Sequence, residues 1–276
     1  RRPLALIDPH SLYLVRLAYF GAFIGAWAFL VTWEGGNPNW EPPAQRWRHI
    51  GRNVALFLLA VIVADGIVGI GLFRVGERLN VQPNGLLTPL GLPVWALVIA
   101  GLLATDLAGY AFHRLSHRWR WLWLMHSVHH SDRKLDASTA IREHPVEMIC
   151  DVTILAGTLM VLGIPLWVEG LRAAVLNPQA MAQHANIAYP RWIERVFRWL
   201  LVTPAMHHVH HSPDPRDTNT NYGIMFSFWD RLFGTYRPPD AAPVASFGLD
   251  RLRDEGWHTF SGMLLTPLAA RGIPTL

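Results

Sequence analysis

The chain has 276 residues, 51% of them hydrophobic and only 16% charged, with a mean hydropathy of +0.19. That balance excludes an ordinary water-soluble globule, whose polar residues must cover its core. The net charge of +4 and the pI near 9.6 do not point to nucleic acid, because the arginines flank apolar runs instead of gathering into a basic helix or tail.

Residues 1–11 read as a short polar lead-in at a membrane interface. Residues 17–33 are an uncharged run with Arg16 placed to snorkel at its edge. This run is long for the apolar part of a signal peptide, and its Trp33-Glu34 exit lacks a small-residue cleavage site, so no cleavable leader is expected. Residues 34–52 read as a loop and then an aromatic, basic membrane-edge segment in which His49 is interfacial, not ligating. The second apolar run, 54–73, is interrupted by Asp65; with Gly66, Gly69 and Gly71 nearby, a close helix contact or a functional charge would explain it equally. In the third run, 86–105, Pro89 and Pro93 delay the helix to about Leu92. From there it continues beyond the membrane surface with Asp106, Tyr110, His113 and His117 on one stripe. Trp119, Trp121 and Trp123 follow at headgroup depth.

His126, His129 and His130 come next, at i, i+3 and i+4. A polar connector leads to His144, which precedes Pro145 and reads as a ligand, a donor to a ligand or a plain turn residue. Residues 152–168 form the fourth apolar run, with Pro165 near its end, and Cys150 just before it is a small apolar filler. Residues 173–190 carry no charge yet hold Asn177, Pro178, Gln179, His184 and Asn186, which suits a broken or re-entrant segment facing protein. His184 there is a candidate ligand as much as a buried hydrogen-bonded imidazole. Residues 191–201 place Ile193, Val196, Phe197 and Leu200 on one face, an amphipathic helix lying on the membrane. The spacing then returns in TPAMHHVHHS, with His207, His210 and His211 repeating H-x-x-H-H and His208 between them. A turn-rich loop, the compact aromatic FSFWDRLFGTY and a tail punctuated by Pro and Gly over 237–276 close the chain, with His258 structural.

Four apolar runs of roughly the 20 residues that span a bilayer predict an all-α, multi-spanning integral membrane protein with about four crossings. The organisation expected is a single membrane-embedded domain over 1–276. Membrane helices fill 12–112, the first two histidine groups 113–145, a fourth crossing and a re-entrant segment 146–190, an interfacial helix and the third histidine group 191–236, and a tail the rest. Arg114, Arg118, Arg120, Arg133, Lys134 and Arg142 between the third and fourth runs place a histidine-rich helical cap in the cytoplasm by the positive-inside rule. Twenty-three arginines against the single Lys134 suggest a GC-rich coding bias and hence a bacterial inner membrane.

Clustered imidazoles suit iron, zinc, copper or nickel. One tetrahedral ion needs at most four of them, so eight to ten support a pair of metals with positions left open. A lone cysteine, Cys150, excludes thiolate-based zinc and iron–sulfur sites. The zinc-hydrolase motifs H-E-x-x-H and H-x-x-E-H are missing. A b-type haem would leave the triplets unexplained.

HRLSH, LMHSVHHS, REHP and MHHVHHS, followed by NYG and WDRLFGTY, together resemble in content and order the fatty acid hydroxylase/sterol desaturase superfamily of integral-membrane di-iron enzymes, over roughly residues 92–236. The resemblance implies two iron ions, replaceable by zinc in a purified protein, held by His113, His117, His126, His129, His130, His207, His210 and His211, with His184 a further ligand. His208 stands as a possible outer group, as do His144 and Asn186, and Asp106, one heptad before His113, is placed to orient a ligating imidazole. No catalytic side chain beyond the metal centre is expected. The activity implied is oxidation of an unactivated C–H bond of a membrane lipid by O2 to an alcohol, or by loss of a second hydrogen to an alkene. A separate electron donor of cytochrome b5 or ferredoxin type, with its reductase, is implied as well. The competing readings are a zinc-dependent membrane hydrolase and a membrane protein that binds or transports a transition metal.

Overall fold

The computed structural model describes residues 9–69, 84–165, 167–242, 244 and 246–273. The lead-in over 1–8 and the last part of the second apolar run, 70–73, lie outside the described residues. Among the described residues the protein is all-helical, its only extended pairing being a single bridge between Leu201 and Phe226.

Helix α1 (Pro9–Gly36) contains the first apolar run. Helix α2 (Arg46–Ala64) widens into a π-turn, Asp65–Gly69, and Gly69 makes room for the Asp65 carboxylate within that turn, since a Cβ there would collide with it. Helix α3 (Val94–Arg118) starts after Pro93 and runs for 25 residues, carrying the histidine stripe beyond the apolar section as one rigid rod. Helix α4 (Arg120–His130) follows after a break at Trp119. The spans Arg46–Gly69, Val94–Arg118 and Pro145–Leu162 are long and apolar enough to cross a membrane. Ile62, Trp95, Ile99 and Val161 on these helices point outward, a surface that lipid tolerates and water does not.

Helix α5 (Pro145–Leu162) departs from the expected fourth run over 152–168. Its start is set by His144, whose Nδ1 accepts from the Val146 N–H at 3.2 Å, and by Pro145, which needs no amide partner in the first turn. Its end is set by Gly163 in the left-handed region at φ 72°. Ile164 and Pro165 are therefore irregular, and Trp167 and Val168 already belong to the next helix. Nor is 173–190 broken at Pro178: helix α6 (Trp167–His184) runs through it, and only 185–190 are irregular. The polar residues of α6 do face protein. Gln179 Nε2 donates to the carbonyls of Val202 and Met225, and Gln183 Nε2 donates to those of Val202 and Ile224.

Shorter α-helices follow: α7 (Arg191–Phe197), α8 (Pro204–His210), α9 (Pro215–Thr218), α10 (Phe228–Leu232) and α11 (Phe260–Ala269). The α7 region exposes Trp192, Val196, Trp199 and Leu200, the apolar face expected of a helix resting on a bilayer. The supposed tail is instead structured. Met263 of α11 closes over Val128 of α4 and Leu56 of α2, all three fully buried.

The helices pack in pairs. Leu30 and Val31 of α1 meet Met181 of α6, Ala60 and Ala64 of α2 let α5 approach at Met148, and Val98 of α3 packs on Leu159 of α5 and Ile164 and Val168 beyond it. Beneath the connector 131–144 lies a buried ionic network. Arg142, 1% exposed, donates to Val128 O, Asn53 Oδ1 and Ser131 Oγ at 2.9, 3.1 and 2.9 Å. His49 is not interfacial but sits against Asp132 and Asp136 at 3.3 and 3.6 Å. Burial alone would push the Asp132 carboxyl up; the His49 imidazole and the Arg142 guanidinium outweigh it and hold this group far below the usual carboxylate range. His258 fits the structural role expected of it, donating from Nε2 to Leu252 O at 2.9 Å beside Arg142.

Candidate metal centre

Nine histidines converge into two buried clusters. His113, His117, His126, His130 and His210 form one; His129, His184, His207 and His211 form the other, and within each the ligand-capable nitrogens all lie within 4.8 Å of one another. These are the nine histidines that the spacing and the resemblance single out. The triplets, however, do not act as single edges. Positions i+3 and i+4 of a helix lie about 100° apart around the axis, so His129 and His130 must face different points. Helix α4 accordingly gives His126 and His130 to the first cluster and His129 to the second, whereas α8 and its C-cap give His207 and His211 to the second and His210 to the first. Helix α3 adds His113 and His117, and the last residue of α6 adds His184. The rings of His130 and His211 stack at 4.5 Å, so the clusters lie side by side.

The nitrogens converge as they would around a shared cation. His184 Nε2 lies 2.8, 3.1 and 3.2 Å from the Nε2 atoms of His207, His129 and His211, and His207 and His211 Nε2 are 3.1 Å apart. Imidazoles bound at about 2.0–2.1 Å to one ion would lie roughly 3.0–3.4 Å apart. In the first cluster the Nε2 atoms of His117, His126, His130 and His210 are buried with no hydrogen-bond partner, a cost of about 1–3 kcal/mol each unless something else binds them. The donor set therefore fits two metal ions. Burial first, then repulsion from neighbouring imidazoles, pushes His129, His130, His207, His210 and His211 well below the ordinary histidine range, which keeps them in the neutral form that ligates.

Several rings are held from behind. His113 Nδ1 meets Tyr222 O at 2.9 Å, His210 Nδ1 meets Thr220 O at 2.8 Å, and His184 Nδ1 meets Ala180 O at 2.7 Å. Donation from Nδ1 leaves the Nε2 lone pair free to point into the cluster. Thr220 and Tyr222 flank Asn221, among the described residues the one non-glycine with positive φ, at 52°. Asn tolerates this left-handed conformation better than other side chains do, and the twist aims both neighbouring carbonyls at the centre. The Asn221 amide is itself pinned: Nδ2 donates to Met206 O and Arg237 O at 3.1 and 2.9 Å, and Oδ1 accepts from Arg237 N at 2.9 Å. Asn221→Ala should cost about 2–4 kcal/mol and lower the metal content. Asn221→Gly, which keeps the twist, should lose less thermal stability. Melting temperature and metal analysis of the two variants measure both effects.

The other expected outer residues serve different ends. Asp106 touches no imidazole: Oδ1 accepts from Met225 N at 2.9 Å, and Oδ2 accepts from Phe226 N and Trp229 Nε1 at 3.2 and 2.8 Å. Heptad spacing puts it on the face of α3 that bears His113, but about two turns of helix separate the two, and this carboxylate instead anchors the loop after Tyr222. Asp230 does the same from the other side, accepting from Tyr222 N and Gly223 N at 2.7 and 2.9 Å. His144 belongs to neither cluster and caps α5. Asn186 accepts from Asn39 N and Trp40 N, both at 2.9 Å, and so ties down the loop after α1. His208 points away from both clusters, edge-on to Trp40 at 5.0 Å, into a cavity of about 920 Å³ that Arg48, Arg52, Arg133 and Lys134 also line. Trp123 is not at the surface with Trp119 and Trp121; it is 4% exposed and backs His117 at 5.1 Å.

Residues 98–235 match the family model described as fatty acid hydroxylase. An ornithine lipid hydroxylase, OlsE of Rhizobium tropici, is 28% identical over 185 residues, covering 65% of this chain and 53% of that protein. An alkylglycerol monooxygenase of Danio rerio is 31% identical over 153 residues, 52% of this chain and 30% of that one. A cholesterol 25-hydroxylase-like protein of Danio rerio is 30% identical over 144 residues, 51% and 55% of the two. The chain thus spans about half the length of these relatives, or less. No solved structure matches it.

Proposed function

From the premise that this chain belongs to the fatty acid hydroxylase family, we propose that it is an integral-membrane di-iron oxygenase that hydroxylates an unactivated C–H bond of a membrane lipid. The observation that carries this reading is the pair of adjacent, buried, all-imidazole clusters at the end of membrane-length helices. His113, His117, His126, His130 and His210 hold one iron; His129, His184, His207 and His211 hold the other. The iron pair, when bound, supplies the reductive activation of O2 that carbon–hydrogen bonds demand and that no side chain provides.

The chain's own residues do the rest. Tyr222, Thr220 and Ala180 carbonyls fix the rings of His113, His210 and His184, so the ligand geometry exists before any ion arrives. Burial of the clusters excludes water from a site where a reactive oxidant must meet only its substrate. Helix α3 carries its ligands at the end of a membrane-length apolar rod, which puts the centre at the edge of the layer where a lipid substrate lies. One oxygen atom of O2 enters the lipid as hydroxyl and the other leaves as water, with two protons and two electrons consumed. The electrons come from a separate protein of cytochrome b5 or ferredoxin type with its reductase. The protein crosses a bacterial inner membrane about four times and carries its histidine cap on the cytoplasmic side. Hydroxylation is favoured over desaturation because the relatives compared are named as hydroxylases or monooxygenases.

Purified, iron-loaded protein in nanodiscs should consume O2 only when both a lipid substrate and a reductant are present. With ¹⁸O₂ it should place one labelled atom in the lipid. Stable zinc content with no lipid-dependent O2 uptake across fatty acyl, sterol, ether and amino-acid lipids would restore the hydrolase or metal-transport reading.

A further inference from the structure

The two clusters are unequal in what stands behind their rings. His113, His184 and His210 rest on neutral backbone carbonyls, but His126 Nδ1 lies 2.5 Å from Oε1 of Glu147. This carboxylate comes from the first turn of α5 and is only 6% exposed. Its second oxygen, Oε2, is buried and has no partner. A carboxylate half satisfied in such a place is costly, by several kcal/mol when nothing compensates it. A cation held beyond His126 would compensate it, since the Nε2 of that ring is itself buried, unpartnered and turned into the five-histidine cluster.

From this geometry we infer that Glu147 is a positioning residue that makes the two metal positions unequal. By accepting the Nδ1 proton in a short, charge-assisted bond it fixes the His126 ring and makes it a stronger electron donor than its carbonyl-backed neighbours. The five-histidine position thereby carries extra negative charge in its surroundings; among the described residues, none of the hydrogen bonds around the four-histidine position involves a carboxylate. The five-histidine ion is then the more tightly held and the harder to reduce. The rival role is purely structural. An acidic residue in the first turn of a helix favours the dipole, and Glu147 could serve α5 alone.

This inference rests on reading the nine histidines as metal ligands, and the test separates the two. Apoprotein in detergent is titrated with Co²⁺, followed by its visible ligand-field bands. Two ions per wild-type chain support the ligand reading; none or one ends it, and the Glu147 inference with it. Given two, Glu147→Gln should weaken one of them by about 10–100-fold and shift its band, leaving the other as in wild type. Glu147→Asp, which keeps the charge, should fall nearer to wild type. If Glu147→Gln binds both ions as wild type does, or weakens both alike while lowering the melting temperature, Glu147 serves only the helix and the inference is wrong.

Discussion

His184→Ala should empty the four-histidine cluster and reduce lipid-dependent O2 uptake by roughly two orders of magnitude or more. His184 sits outside the repeated triplets, yet its Nε2 is the hub that approaches His129, His207 and His211 within 3.2 Å. Its own ring is fixed by Ala180 O one turn back, so the loss is of an oriented ligand and not of a loose side chain. Metal analysis should fall from two ions per chain to about one, since in the five-histidine cluster His113, His210 and His126 are held by Tyr222 O, Thr220 O and Glu147, none of which depends on His184. Two ions retained after this change would show that His184 is a packed histidine and that the second site lies elsewhere.

The second large effect concerns stability. Arg142→Ala should destabilise the folded protein by about 3–5 kcal/mol, because Asp132 would keep its buried charge without the guanidinium that, together with His49, offsets it. The loss also frees Val128 O, just before His129, and Ser131 Oγ, just after His130. The expected outcome is a chain that accumulates poorly and melts well below wild type in detergent. Arg142→Lys should rescue it only in part, since a single ammonium cannot reproduce the fork to Val128, Asn53 and Ser131. A melting temperature within a degree of wild type for Arg142→Ala would refute this account of the network.

Arg142 also marks where the sequence misleads. Beside Arg114 and Arg133 it reads as one more positive charge flanking a membrane helix, yet it is among the largest fully buried side chains. Nothing in its local pattern reveals that, because its partners come from α2, α4 and the segment before α11. The histidines behave oppositely. Their periodicity is a property of one helix at a time, so all nine can be named from spacing and resemblance; the exchange of His129 and His210 between clusters depends on how α4 and α8 dock, which no single-helix pattern encodes. Asp106 shows the same limit, since heptad spacing puts it on the stripe of His113 but not within reach of its ring. Glu147 escapes notice for a related reason: it lies in REHPVE, next to a histidine that only caps α5, and its partner His126 is contributed by a different helix. The apolar runs locate three membrane-length helices, but the last is displaced toward the N-terminus from the expected 152–168, because Pro145 and Gly163 set its ends; Pro93 sets the start of α3 as its position suggests.

The division of each triplet has a consequence for biosynthesis. A nascent chain that has made α3 and α4 owns four of the five imidazoles of one cluster but only one of the four of the other. The missing ones arrive with α6 and α8, late in the chain, and each incoming segment must interlock with what is already in place. Neither half of the protein can therefore complete a paired centre alone, and a truncated or misinserted product is left without the two-cluster arrangement on which the proposed oxidation depends. Topology thus acts as a safety catch on the chemistry, released only when the last third of the chain has docked.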